Sequence, residues 1–459
     1  MWTMTIALAL VSCKQKPEID DEPLPTTTDL PLVGTGGVQF YGQVPKNLIF
    51  LSIDTFRKDH IDFHGDPDGS RNLTPFLDRI AREGLVLTQH QQCSNWTWAS
   101  TTCTLAGRTN IDRGHIPRLS GGSESRTPVP LGTEFLATWL GRAGFASALV
   151  SANEWLSPTW GNSQGYDAYD TPGGNALEVL SKGRDLITKE MRQQDTDRFF
   201  LHMHHMEPHA AYNPPRENTV GLGELEPYPG DLTVRTFHYD QRNQWGNLPE
   251  DQRELLELHL RVLYEGEIRT IDQRLEENWA ILEDEGYLND TLVVIWNDHG
   301  EQFWEHGHQT HAYDLYGEEN DGFAILWSRN IAQGTYDAPT HAIDLVPTVL
   351  DLLDIPIPDE VTGYPIGKAP EDRLRFSAAV ARRGGINMVT KGDLKLHYRW
   401  NGKVEFYDRS TDPFEQNDLF DPEDERVLEL WSPLREEAEK MASMLEGGDP
   451  SPVWPDDLP

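Results

Sequence analysis

Apolar positions along the chain gather in short, nearly unbroken runs rather than in strict alternation. Leu292–Ile295, mostly β-branched, is one such run, and a strand buried on both faces has this texture. It stops at Trp296-Asn297, and Asp298, His299 and Gly300 follow at once. Leu48–Ile53 repeats the pattern and ends in Asp54. Leu85–Thr88, Phe145–Val150 and Phe199–His205 read as further strands. Between them the apolar residues recur at helical spacing. Thr74-Pro75 opens a helix, with a capping hydroxyl, Pro at the first helical position and Phe76, Leu77, Ile80 and Ala81 on one face. Leu131–Gly144 predicts another. Glu250–Glu285 predicts a long charged helix or helix pair with Leu256, Leu260, Leu263, Ile268, Ile271 and Leu275 as its stripe, and Gly266 weighs against one unbroken helix. Ala342–Leu353 is an apolar helix with Pro347 in its first turn. Strand, helix and strand in this order predict right-handed crossovers in a parallel sheet.

From Phe376 the texture changes. Ile386–Val389, Leu394–Arg399 and Val404–Tyr407, with Asn401-Gly402 as a turn, predict antiparallel strands, and Glu423–Met444 a terminal helix. The fold class expected is α/β: a large, mostly parallel central sheet flanked by helices over 46–375, and a small α+β subdomain over 376–445. The acidic, Pro-rich stretch 446–459 is expected to fray.

The N-terminus changes this picture at one end. Met4–Ser12 is an apolar run too short to span a bilayer as a helix, and it ends in Leu10-Val11-Ser12-Cys13. It resembles a bacterial lipoprotein signal over 1–13, which implies export and a lipid anchor on Cys13, although no basic residue precedes the run. Residues 14–45 are expected to form a flexible tether. Cys93 and Cys103 then remain, and in an exported protein the default for such a pair is a disulfide. The net charge is −36, from 75 acidic and 39 basic residues. Such a surface repels phosphates, so neither nucleic acid nor anionic lipid is expected as a partner, and an anionic substrate needs a local positive site.

Two strand-end acids far apart in sequence meet only if their strands neighbour each other in one sheet. Asp54, Asp298 and His299 together make a candidate divalent-metal site, with Ca²⁺, Mg²⁺ and Mn²⁺ all admissible. The segment Cys93–Arg108 sets Trp96 and Trp98 among the hydroxyls of Thr97, Ser100, Thr101, Thr102 and Thr104. A helix beginning there would put Thr97 at its N-terminus, where backbone N–H groups favour an anion, so Thr97 is a candidate nucleophile. Of the clustered His202, His204, His205 and His209, the last follows Pro208 at a strand end and is the functional candidate; the others fit as strand residues with polar partners. His306, His308 and His311 lack a zinc-helix spacing.

In order along the chain, NLIFLSIDTFRKDH, TPFLDRIAREG, NWTWASTTCTLAGR, HMEPHAAYNPP, NDTLVVIWNDHGEQFWEHG, HAIDLVPTVLDLLDIPIP and KVEFYDRSTDPFEQNDL are similar to successive motifs of the sulfatase family within the alkaline phosphatase superfamily. The resemblance runs from Asn47 to about Asp421. It implies an alkaline phosphatase-like fold and hydrolysis of a small-molecule or glycan sulfate or related ester. It implies Asp54, Asp298, His299 and Thr97 as metal ligands, with Ca²⁺ favoured. It also implies His209 and His311 as substrate-binding groups, with Thr97 and His209 catalytic.

The chain departs from the family pattern at two places. Thr55 stands where many relatives carry a second metal-binding Asp. Thr97, Ala99 and Thr101 replace the Cys or Ser, Pro and Arg of the motif whose first residue becomes formylglycine. Threonine cannot yield an aldehyde, so the formylglycine route is not expected. Three readings stay open: a sulfatase-family hydrolase of sulfate esters; a Thr-nucleophile phosphodiesterase, phosphonate hydrolase or phospho-headgroup transferase; and an inactive surface-anchored binding protein that keeps the fold.

Overall fold

The computed structural model describes residues 30–65, 71–119, 127–172, 174–223, 226–445 and 451–458. The expected signal at 1–13 and the first part of the expected tether lie outside the described residues. The apolar runs form β1 (Asn47–Ile53), β2 (Leu85–Gln91), β3 (Ala146–Ser151), β4 (Ala168–Asp170), β5 (Phe199–His205), β6 (Thr291–Asn297), β7 (Asp321–Trp327), β8 (Gly334–Tyr336) and β9 (Thr340–His341). They build one sheet in the order β8-β2-β7-β6-β1-β5-β3-β4, with β9 also paired to β2. All run parallel except β7, which is antiparallel to both of its neighbours.

Both faces of this sheet are covered, which explains the lack of alternation. Ile49, Leu51, Ile53, Val293 and Ile295 pack into one core, and Leu48, Phe50, Leu292, Val294 and Trp296 into another. In register, Ile53 lies opposite both Asn297 and His205. The residues after β1, β5 and β6 therefore leave the sheet side by side, at the carboxyl edge where open α/β sheets take their ligands.

The main helices are α1 (Pro75–Glu83), α2 (Thr97–Ala106), α3 (Leu136–Arg142), α4 (Ala176–Gln194), α5 (Glu250–Asp284), α6 (Leu345–Leu352) and α7 (Glu425–Ser443), and further helices include Arg235–Gln244. Several differ from expectation. Thr74 occupies the cap position of α1 without a side-chain bond to the helix. Instead the Asp272 carboxylate of α5 accepts from Phe76 N and Leu77 N, both at 2.9 Å. Burial pushes that carboxyl up to about 7. The predicted helix at 131–144 is confined to α3, and Leu131 is exposed. Helix α4 was not anticipated. Helix α5 is unbroken, and Gly266 sits in it because a Cβ there would lie 2.8 Å from both Pro214 Cγ and Thr219 Cγ2.

The predicted tether is folded at its far end. Leu32–Thr35 and Val38–Tyr41 form a hairpin, Val38 and Phe40 are fully buried, and Gly37 N donates to Ile366 O at 2.8 Å. Two apolar residues in a four-residue strand are too few to register as a period.

In the C-terminal subdomain, β10 (Arg375–Ala381), β11 (Gly384–Lys391), β12 (Leu394–Arg399) and β13 (Val404–Asp408) form an antiparallel sheet in that order. Helix α7 covers one face through Val427, Leu430, Trp431 and Leu434. Residues 451–458 do not fray. Trp454 stacks on Tyr398 with ring centroids 5.3 Å apart, and Tyr398 Oη donates to Val453 O at 2.9 Å. Among the described residues no helix is long and apolar enough to cross a membrane.

Candidate active site

Five strand ends supply the site. Asp54 follows β1, Thr97 opens α2 after β2, Asn153 follows β3, His209 follows β5, and Asp298 with His299 follow β6. Asp54, Asp298 and His299 are wholly buried, and Thr97 is nearly so. The Thr97 hydroxyl lies 3.4 Å from Asp54 Oδ2 and 3.3 Å from His299 Nε2. Asn153 Nδ2 donates to Asp54 Oδ2 at 2.6 Å and to Thr97 Oγ1 at 3.3 Å. His299 Nδ1 faces Gly300 O at 3.0 Å, so Nδ1 carries the proton and Nε2 turns a lone pair to the site. That Nε2 is 3.6 Å from Asp54 Oδ1 and from Asp298 Oδ2. The structure thus brings together all four residues expected at the metal.

It also adds one that sequence reading passed over. Ligand atoms of Asp54, His204 and Asp298 all lie within 4.8 Å of one another, a group able to hold a metal ion. His204 is at the end of β5, opposite Ser52 of β1. Its Nδ1 lies 2.8 Å from Ser52 Oγ, which lies 2.9 Å from His202 Nε2, and His202 Nδ1 lies 3.0 Å from Tyr166 Oη. A hydroxyl can donate or accept, so this chain closes in either direction and can leave His204 Nε2 bare towards Asp54, 3.4 Å away. His204 had been read as a strand residue with a polar partner. It has that partner, and it also faces the carboxylates.

Asp54 Oδ1 and Asp298 Oδ2 are buried and accept no hydrogen bond in the described structure. Burial and the Asp54 charge push the Asp298 carboxyl well up. Burial also opposes ionisation of Asp54, but the His209 charge and the hydrogen bond to His204 outweigh it and hold that carboxyl below the usual range. Two adjacent buried carboxylates share a proton unless a cation compensates them. The two bare oxygens and this shared charge fit a divalent cation.

Across from Thr97 the His209 and His311 rings stand 5.1 Å apart, and His311 is 4.4 Å from His299. Glu301 orients this side. Its Oε1 accepts from His311 Nδ1 at 3.0 Å, and its Oε2 accepts from Tyr212 Oη at 2.6 Å. Burial, then His311, pushes His299 down to about 3, and burial, then His209, pushes His311 well down, so both imidazoles are neutral. The remaining histidines of that segment are structural. His306 stacks on Tyr316 and bonds Glu318, and His308 stacks on Tyr313.

Thr55, next to Asp54, holds a φ of +54° and its N–H donates to Asp298 Oδ1 at 3.3 Å. Thr101 Oγ1 donates to Thr97 O at 2.6 Å and accepts from Asn162 Nδ2 at 3.0 Å. Cys93 and Cys103 are joined as a disulfide, tying the segment before Thr97 to the second turn of α2.

The Sulfatase family model matches residues 46–355. An arylsulfatase of Clostridium perfringens is 23% identical over 388 residues, covering 79% of this chain and 78% of its own. The multifunctional alkaline phosphatase superfamily protein PehA of Trinickia caryophylli is 23% identical over 444 residues, covering 79% and 82%. Among solved structures, BT4656 in complex with its substrate D-glucosamine-2-N,6-O-disulfate aligns with a TM-score of 0.65 at 17% identity, over 88% of this chain and 99% of that one. Phosphonate monoester hydrolase SpPMH from Silicibacter pomeroyi aligns with a TM-score of 0.63 at 18% identity, over 87% and 96%. At these identities the structural likeness speaks for the fold, while the family model runs from the strand bearing Asp54 through α6. The chain belongs to the sulfatase family of the alkaline phosphatase superfamily.

Proposed function

We propose that the chain is a divalent-metal-dependent hydrolase of sulfate esters or related oxyanion esters, with Thr97 as its nucleophile. The observation that carries this reading is the Thr97 hydroxyl at the N-terminus of α2, within 3.4 Å of Asp54 and 3.3 Å of His299. Asp54 and Asp298, with His204 and His299 on either side, would hold the cation. When bound, it supplies the positive charge that makes the hydroxyl more acidic and offsets charge on the ester oxygens. Ca²⁺ is the ion the family favours, and a site with imidazole beside two carboxylates suits Mn²⁺ as well.

Thr97 Oγ1 gives its proton to an adjacent acceptor and bonds to the central sulfur or phosphorus, while the ester oxygen leaves with a proton from His209. Backbone N–H groups at the start of α2 and the His311 imidazole face the anionic oxygens. Water then attacks the same centre and gives a proton to His209, the bond to Thr97 Oγ1 breaks, and that oxygen takes its proton back from the acceptor. Asn153, bonded to both Asp54 and Thr97, keeps the hydroxyl in line.

The residue type at 97 favours a second reading, in which the ester is a phosphoester or phosphonate. Water can displace threonine from a threonyl phosphate at phosphorus. A threonyl sulfate lacks the hemiacetal elimination that formylglycine provides. The N-terminal pattern further supports an exported lipoprotein anchored through Cys13, in the periplasm or on the membrane surface.

The test is a panel of aryl sulfate, aryl phosphate, phosphodiester and phosphonate substrates, with and without chelator. Thr97→Ala is expected to lower kcat at least ~10³-fold, with elemental analysis identifying the ion. Absence of chelator-sensitive turnover on every substrate would support the inactive binding protein instead. Full turnover in Thr97→Ala would remove Thr97 from the nucleophile role.

A further inference from the structure

A cavity of about 200 Å³ opens beside the site, lined by His209, Tyr239, Arg242, Thr310, His311 and Arg382. His209 and His311 therefore face two ways, towards the reacting centre and towards this cavity. Arg242 comes from the helix Arg235–Gln244, and Arg382 from the turn between β10 and β11. The turn reaches the site because Arg382 N donates to Ala312 O at 3.0 Å, one residue beyond His311.

Arg242 lies over the Tyr239 ring at 4.7 Å and its Nη2 donates to Asn243 Oδ1 at 3.2 Å. Arg382 lies over the Tyr313 ring at 5.4 Å. Among the described residues neither forms an ion pair, whereas Arg399 and Arg409 pair with Asp314 and Asp321. In a chain of net charge −36, two unpaired cations at one mouth run against the field of the whole molecule.

We propose that Arg242 and Arg382 form a second anion subsite, and that the substrate carries a second fixed negative group on its leaving portion, besides the ester that reacts at Thr97. This deepens the hydrolase reading and rests on it for the position of the reacting ester. The second group is a sulfate, carboxylate or phosphate held one imidazole layer out from Thr97. Guanidinium forks recognise each of these.

The test is calorimetric binding to the metal-loaded protein of benzenesulfonate, benzene-1,3-disulfonate and 3-sulfobenzoate, none of which is an ester. The second anion is expected to tighten binding about tenfold at low salt. The two dianions distinguish a sulfonate-type from a carboxylate-type second group. The gain is expected to vanish in the Arg242→Gln/Arg382→Gln double variant and to return in large part in Arg242→Lys/Arg382→Lys. Equal affinity for one and two anions, or a gain unchanged in the Gln variant, would overturn the subsite. A protein that turns over no ester yet shows this gain and its loss would sink the hydrolase reading while the subsite stands. One that hydrolyses esters without the gain would do the reverse.

Discussion

Replacing Asp298 by Asn separates the charge of the site from its shape. Asp298 Oδ1 accepts from His299 N at 2.8 Å and from Thr55 N at 3.3 Å, and an amide oxygen can keep both bonds. Oδ2 accepts nothing in the described structure, and burial with the Asp54 charge already drives this carboxyl towards its neutral form. The metal-free variant is therefore expected to match the metal-free wild type within about 1 kcal/mol. With metal the two diverge. An ion at 100 times its Kd stabilises the wild type by about 2.7 kcal/mol, a rise in Tm of about 3 °C for a chain of this length. Removing one of two anionic ligands costs about 100-fold in affinity, which at the same concentration leaves about 0.4 kcal/mol.

The pH dependence of the metal-free protein adds a second readout. An unfolded Asp titrates near roughly 3.9. Above that pH the unfolded chain has released a proton that folded Asp298 retains, so stability falls as pH rises from about 4 towards the raised value. Asp54, held below its ordinary value, adds stability as pH climbs towards about 4 and nothing above it. Asp298→Asn is expected to flatten the decline above pH 4 and leave the acid limb. The assay is calorimetric or fluorimetric melting after chelation and dialysis, with Ca²⁺, Mg²⁺ and Mn²⁺ titrated back at several pH values. The same metal-induced rise in Tm in variant and wild type, or a metal-free variant weaker by more than about 2 kcal/mol, would refute the reasoning.

His204→Gln is expected to weaken metal binding at least ~10-fold by equilibrium dialysis; unchanged affinity would return His204 to a purely structural role. Gly266→Ala is expected to destabilise by about 1 to 3 kcal/mol in urea, despite the better helix former, because the new methyl meets Pro214 and Thr219 at 2.8 Å. A stabilised Gly266→Ala protein would mean that α5 does not pack that closely.

The sheet was legible because its central strands are buried on both faces and so appear as continuous apolar runs, two of which lead straight into Asp54 and Asp298. Asp54, Asp298 and His299 could be paired from that pattern alone, since only neighbouring parallel strands bring their ends together. His204 was not legible. In a strand with two buried faces a histidine stands out from its neighbours, but which face it shares with Asp54 depends on the pairing of β5 with β1. That order is set by long-range packing and has no local signature. Helix α4 carried a readable stripe in Ala176, Val179, Leu180, Gly183 and Ile187, broken by enough charges to pass as loop. Arg242 and Arg382 lie far apart in sequence, in a helix and in a hairpin turn of the other subdomain. No spacing rule joins them before the subdomain is docked.

Strand β7 is the one that runs against the rest of the sheet, and its direction governs how the chain visits the site. Since β6 ends and β7 begins at the same edge, everything between them is a single excursion that never crosses to the far side. Asp298, His299, Glu301 and His311 all ride on it. A parallel successor to β6 would have forced the chain back through a helix and spread these four residues over separate loops. Half of the chemistry is thus carried as one contiguous cassette. Its internal contacts, such as Glu301 to His311, are short in sequence and can form early, while Asp54 and Thr97 join only when the sheet closes around them. Such a cassette can also be exchanged between related chains as a block, carrying its carboxylate, its imidazoles and their orienting glutamate together.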